Sequence, residues 1–144
     1  MDKFMQYALE EAHKSFQEGG IPIGAVLVRN GVVLGRGHNR RVQENSPIFH
    51  AEIVCIHNAG RIKTYENTIM YSTMMPCYFC GGAIIQFGIP MVVSGETFHG
   101  SGSRDLLRSF GVTIEEYDFK ECISLMNSFI AKFPEIWQED CGVR

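Results

Sequence analysis

One histidine, two cysteines and one surplus carboxylate mark where this 144-residue chain could do chemistry. His50-Ala51-Glu52 precedes Pro76-Cys77-Tyr78-Phe79-Cys80 in the chain. An imidazole and two thiolates are ligands zinc prefers, and catalytic zinc sites keep three protein ligands with a fourth position for water. Glu52 is not needed to hold the metal. It stands where a metal-bound water needs a proton carrier. A Cys-x-x-Cys pair alone would also suit structural zinc or a redox dithiol. Structural zinc wants a fourth protein ligand, and none of His38, His57, His99, Cys55, Cys122 or Cys141 has a partner at ligand spacing. A redox pair would leave His50 and Glu52 idle. The expectation is therefore one zinc per chain on His50, Cys77 and Cys80, with Glu52 as the catalytic acid–base.

The elements that must present these residues follow from the surrounding pattern. Residues 51–59 read as a helix ending at Gly60, and 77–87 as a second ending at Gly88. His50 and Cys77 then lie at two helix N-termini, where the partial positive charge favours a thiolate. Pro76 suits a helix start that needs no donated N–H. Cys77 and Cys80, three apart, share a helix face. His50 and Glu52, two apart, converge on one metal only at the mouth of a helix.

Elsewhere, Phe4, Ala8, Leu9, Ala12 and Phe16 recur at helical spacing before Gly19-Gly20. Ile23–Val28 and Val32–Gly37 read as strands joined at Asn30-Gly31. Residues 40–49 form a polar connection. Residues 68–73, 91–94 and 112–117 read as strands, and 103–110 and 119–133 as helices, the last halted by Pro134. The tail from Pro134 to Arg144 predicts a short final turn with Ile136, Trp137 and Asp140 on one face. A hairpin followed by strand–helix alternation predicts a mixed sheet with helices on both faces, an α/β architecture. No linker or repeat interrupts it, so residues 1–144 are expected to form one domain.

Hydrophobic residues make up 45% and charged residues 20%, a globular balance, and the formal net charge of −3 supplies no general attraction for nucleic acid. Arg36, Arg40, Arg41, Arg61 and Lys63 are expected to be solvated surface rather than a binding patch. Five cysteines, two claimed by metal, suit a reducing compartment. No leader-like or membrane-spanning run is visible, so a cytoplasmic protein without membrane contact is expected.

The order of motifs resembles the cytidine-deaminase-like superfamily, whose zinc members carry H-x-E…P-C-x-x-C. The likeness rests on Gly20-Ile21-Pro22-Ile23-Gly24-Ala25, Gly37-His38-Asn39, His50-Ala51-Glu52 and the stretch from Pro76 to Ala83. Residues 81–90 and the tail with Phe129-Ile130, Pro134, Trp137, Glu139 and Asp140 make it most similar to the fungal-type cytosine deaminases. The resemblance implies a three-layer α/β/α sandwich around a five-stranded mixed sheet, a homodimer, and zinc-dependent hydrolysis of cytosine to uracil. It implies that Asn39 binds the pyrimidine carbonyl, and that Asp140 and the Met75 carbonyl face the exocyclic amine. Trp137, Ile23 and Ala51 would line the pocket, with Phe98 as its cover. Val42 and Met74-Met75 depart from the family pattern and imply a reshaped pocket. Deamination of guanine or another small amino-heterocycle or nucleoside, transfer-RNA editing, and a non-catalytic zinc module are the alternatives.

Overall fold

The computed structural model describes residues 1–141; residues 142–144 of the expected tail lie outside the described ones. The elements in chain order are α1 (Lys3–Gln17), β1 (Gly24–Arg29), β2 (Val32–His38), α2 (Ala51–Ala59), β3 (Thr68–Ser72), α3 (Tyr78–Phe87), β4 (Met91–Ser94), α4 (Arg104–Ser109), β5 (Thr113–Glu116), α5 (Lys120–Lys132) and α6 (Pro134–Cys141). The five strands form one mixed sheet in the order β2-β1-β3-β4-β5. β1 pairs antiparallel with β2 and β3, while β3, β4 and β5 run parallel. The Asn30-Gly31 hairpin has φ of 49° and 79°, the left-handed pair that matches strand twist.

Alternation along the strands divides the core into two layers. Val26, Val28, Tyr71 and Val93 pack with Met5 and Ala8 of α1. On the opposite face, Ala25, Leu27, Met70 and Val92 pack with Ala51 and Cys55 of α2 and Ile84 of α3. This is the expected three-layer α/β/α sandwich with a five-stranded mixed sheet. Helix α2 lies close against β2 because the strand offers glycine: a Cβ on Gly37 would stand 2.5 Å from the Cys55 nitrogen. That approach sets the mouth of α2 beside the end of β2, where Asn39 follows.

The expected strand and helix limits hold within a residue or two. The final element differs more. In place of a short turn, Pro134–Cys141 is a helix, begun by the proline that halts α5. Among the described residues no helix is long and apolar enough to cross a membrane.

Candidate active site

Two helix mouths meet at the carboxyl ends of the strands. His50 occupies the N-cap position of α2 and Cys77 that of α3, both with extended backbone, and Cys80 lies one turn inside α3. The ligand atoms of His50, Cys77 and Cys80 all lie within 4.8 Å of one another, and His50 Nδ1 is 3.4 Å from Cys77 Sγ. Tetrahedral zinc with bonds of about 2.0–2.3 Å would hold its ligands at such separations. The donors are also primed for a cation. A hydrogen bond from Cys80, with further help from His50, draws the Cys77 thiol down to about 4, while burial pushes Cys80 up. The residues present fit a zinc ion.

Glu52 is 4% exposed and stands next to this group in the first turn of α2. Burial, reinforced by the Cys77 thiolate, raises its carboxyl to about 7. A carboxyl poised there can both take and give a proton near neutral pH.

The same residues border a cavity of about 70 Å³ lined by Ile23, Asn39, His50, Glu52, Met74, Met75, Cys77, Trp137, Asp140 and Cys141. Asn39 is 1% exposed. Its Oδ1 accepts from the Arg41 backbone N–H at 3.0 Å, so its Nδ2 is the free end, with no hydrogen-bond partner among the described residues. The Asp140 side chain is 7% exposed, with Oδ1 3.3 Å from His50 Nε2 and 3.0 Å from Arg41 Nη1. Neither approach is aligned as a hydrogen bond, and Oδ1 also lacks a partner among the described residues. Burial raises the Asp140 carboxyl against the opposing pull of His50 and Arg41.

Eight site residues other than the metal ligands were expected, and they take different positions around this cavity. Glu52, Asn39, Asp140, Trp137, Ile23 and Met75 border the cavity, whereas Ala51 is fully buried between His50 and Glu52 and is not on the lining. Phe98 corrects the expectation of a covering ring. It is 67% exposed, outside the lining, and edge-on to His99. The cause is local: His99 donates its backbone N–H to Glu96 Oε2 at 2.9 Å, and Thr97 donates to Asp118 Oδ1 at 2.8 Å, turning the loop so that Phe98 points outward.

Met74, expected to reshape the pocket, is on its lining, whereas sequence reasoning missed Cys141 and above all Arg41. Arg41 reads as one of several surface cations, yet it reaches residues 98 positions away, Glu139 Oε2 at 2.7 Å and Oε1 at 3.0 Å. The expected basic surface is mostly neutralised, with Arg36 on Glu10 and Glu11, and Arg40 on Glu44. The signal available in the sequence was the neighbouring acids Glu139-Asp140 on the tail, but nothing local links them to residue 41.

Comparison with known proteins agrees with this site. The model for the cytidine and deoxycytidylate deaminase zinc-binding region matches residues 1–96, which include all three metal-site residues and Glu52. A cytosine deaminase from Candida albicans is 44% identical over 143 residues, covering 97% of this chain and 95% of that protein. A tRNA-specific adenosine deaminase from Streptococcus pyogenes is 43% identical over 108 residues, covering 72% of this chain and 67% of that protein. A guanine deaminase structure from Nitrosomonas europaea shares the fold at a TM-score of 0.73 and 20% identity, covering 89% of this chain and 83% of that one. With its His-Cys-Cys group set at two helix mouths and its sequence matched along nearly its whole length, the chain belongs to the cytidine and deoxycytidylate deaminase zinc-binding family.

Proposed function

We propose that residues 1–144 form a single zinc-dependent hydrolytic deaminase domain that converts cytosine to uracil and releases ammonia. The observation that carries this reading is the small cavity bordered by α6 beside the metal group, where, among the described residues, Asn39 Nδ2 has no hydrogen-bond partner and Asp140 Oδ1 no aligned hydrogen bond. A cavity of about 70 Å³ has room for roughly five to seven waters at about 10–15 Å³ each, the space of a small molecule. Polar groups buried without partners are costly unless a ligand completes them.

His50, Cys77 and Cys80 would hold a zinc ion, which would supply Lewis acidity toward a water molecule. Glu52 would carry one proton of the attacking water to the ring nitrogen and then the second, from the new C–OH group, to the departing amine. The new C–O bond forms at the carbon that bore the amine, the C–N bond breaks, and ammonia leaves. Asn39 Nδ2 donates to the ring carbonyl. The Met75 carbonyl and Asp140 accept from the amine, while Ile23 and Trp137 hold the ring faces. The Met75 backbone is itself anchored, donating its N–H to the Glu96 carbonyl at 3.0 Å.

The experiment is ammonia release from cytosine, cytidine, guanine, adenine and creatinine by the zinc-loaded protein. Cytosine is expected to lead the series. A preference for guanine or for a nucleoside would replace this substrate with the runner-up reading, which the guanine deaminase fold keeps in view.

A homodimer is part of the same reading. Tyr78 and Phe79 at the start of α3 and Phe87 at its end are exposed, and with Ile53 and Ile56 of α2 they line a broad apolar groove. Phe79 also sits edge-on to His50, with ring centroids 5.5 Å apart, so a partner covering this face would stiffen the metal site. Sedimentation should give a dimer that Phe79→Ser weakens; a monomeric wild type would refute the pairing.

A further inference from the structure

We propose that Arg41 is a positioning residue: its guanidinium clamps α6 over the cavity while its backbone N–H fixes which end of the Asn39 amide faces the ligand. The inference rests on the proposed substrate reading only for its kinetic consequence; the clamp itself is a property of the fold.

The need for a clamp follows from how α6 is held. None of its residues is fully buried, and only Ile136 and Trp137 pack against the main core. Between α6 and the 41–47 segment lies a hollow of about 360 Å³, bordered by Val42, Pro47 and Ile136. Beside this hollow, Arg41 links α6 to the segment that follows Asn39.

Its side chain is 9% exposed. Nη1 and Nη2 take the two oxygens of Glu139 at 2.7 and 3.0 Å, and Nε donates to the Pro47 carbonyl at 3.1 Å. The same Nη1 lies 3.0 Å from Asp140 Oδ1. Successive helical residues project roughly 100° apart, at 3.6 residues per turn. One planar group touching both Glu139 and Asp140 thus sets the roll of α6 as well as its distance. Roll decides whether Asp140 and Trp137 face the cavity. A bidentate fork of this kind is peculiar to arginine, and lysine offers only a point charge.

The backbone half of the device is equally specific. An N–H donor can be met only by an acceptor, so the Arg41 N–H at 3.0 Å assigns Oδ1 inward and leaves Nδ2 for the ligand. One residue thereby orients a donor on one wall and an acceptor on the other.

Trp137 is the one tryptophan in the chain and it lies on α6, so its fluorescence reports that helix alone. The test compares zinc-loaded wild type, Arg41→Lys and Glu139→Gln by acrylamide quenching of Trp137, thermal unfolding, and kcat and KM for cytosine. Arg41→Lys should expose Trp137 to quencher and lower kcat/KM about tenfold to a hundredfold, the range for losing hydrogen bonds to a charged group. Most of that loss should appear in KM. Glu139→Gln, which keeps Arg41 beside Asp140, should expose Trp137 similarly and lose less activity. It also serves if Arg41→Lys fails to fold. Unchanged quenching in the folded variants overturns the clamp, as does a loss of melting temperature with kcat and KM unaltered. If Trp137 becomes exposed but the wild type does not turn over cytosine, the clamp stands and the substrate reading falls.

Discussion

His38 and Asn39 are adjacent in the chain, yet each belongs to a polar cluster of the opposite kind. His38 faces α1, where its Nδ1 lies 3.2 Å from Glu11 Oε1 and its Nε2 2.8 Å from Glu18 Oε1. Glu11, 5% exposed, also accepts from Lys14 at 2.7 Å and from Arg36 at 3.2 Å. Although burial opposes it, these partners, His38 first, draw the Glu11 carboxyl down to about 2. Asn39, one residue on, faces the cavity with its Nδ2 unpartnered among the described residues, near Glu52 raised to about 7 and Asp140 raised by burial. On one side partners outweigh desolvation, and on the other desolvation wins. A completed network rigidifies a fold, while groups left incomplete are available to a ligand. The α1 cluster is a completed network, and the cavity cluster is open to a ligand.

The comparison breaks most visibly at α6. Deleting residues 135–144 takes Trp137 and Asp140 from the cavity but no fully buried residue of the described core. We expect cytosine turnover to fall about a hundredfold or more, with zinc content and cooperative unfolding preserved. Full activity in the truncated protein, read by ammonia release, would make α6 mere packing.

A finer cut is Asp140→Asn, which keeps an acceptor and removes the charge. A loss of about 1.5–3 kcal/mol in transition-state binding is expected, the range for hydrogen bonding to a charged group. Melting temperature should fall only slightly, because the amide oxygen can still lie beside Arg41 Nη1 and no aligned hydrogen bond of Asp140 Oδ1 is lost among the described residues. A large drop in stability would move Asp140 into the structural class.

Glu11→Gln should behave in the opposite way. Turnover stays near wild type while stability falls by about 1–3 kcal/mol, as buried donors lose a charged acceptor. Denaturant titration at several pH values sharpens this. The folded Glu11 carboxyl lies below its ordinary 4.5, so its contribution is present above about 4.5 and fades as pH falls toward 2. His38 is raised above 6.5 by its bond to Glu11, with burial opposing, so its contribution is present below about 6.5 and fades as pH rises through the folded value. The gap between wild type and Glu11→Gln should be widest between about pH 4.5 and 6.5. A gap independent of pH would contradict the assigned ion pairing.

What could be read from the sequence was local. The metal group was legible because His-x-Glu and Pro-Cys-x-x-Cys each confine their ligands to a helix mouth, and the hairpin because Asn30-Gly31 suits its turn. The α6 helix was read too short, since an isolated run of eight residues shows little apolar periodicity. Arg41 escaped because its partners lie 98 residues away, and charge alone does not distinguish a clamp from a solvated side chain. Phe98 was placed by likeness, and the Glu96–His99 contacts that turn it outward depend on a loop conformation no motif encodes.

On the proposed function the metal group divides its labour: His50, Cys77 and Cys80 would hold the ion, and Glu52 would only move protons. The most direct test measures zinc stoichiometry and cytosine turnover side by side in wild type and Glu52→Gln. The account predicts one zinc per chain in both, with turnover reduced about a hundredfold to ten-thousandfold in the variant, the usual worth of a general acid–base group. Loss of zinc from Glu52→Gln, or wild-type turnover by it, would contradict the account.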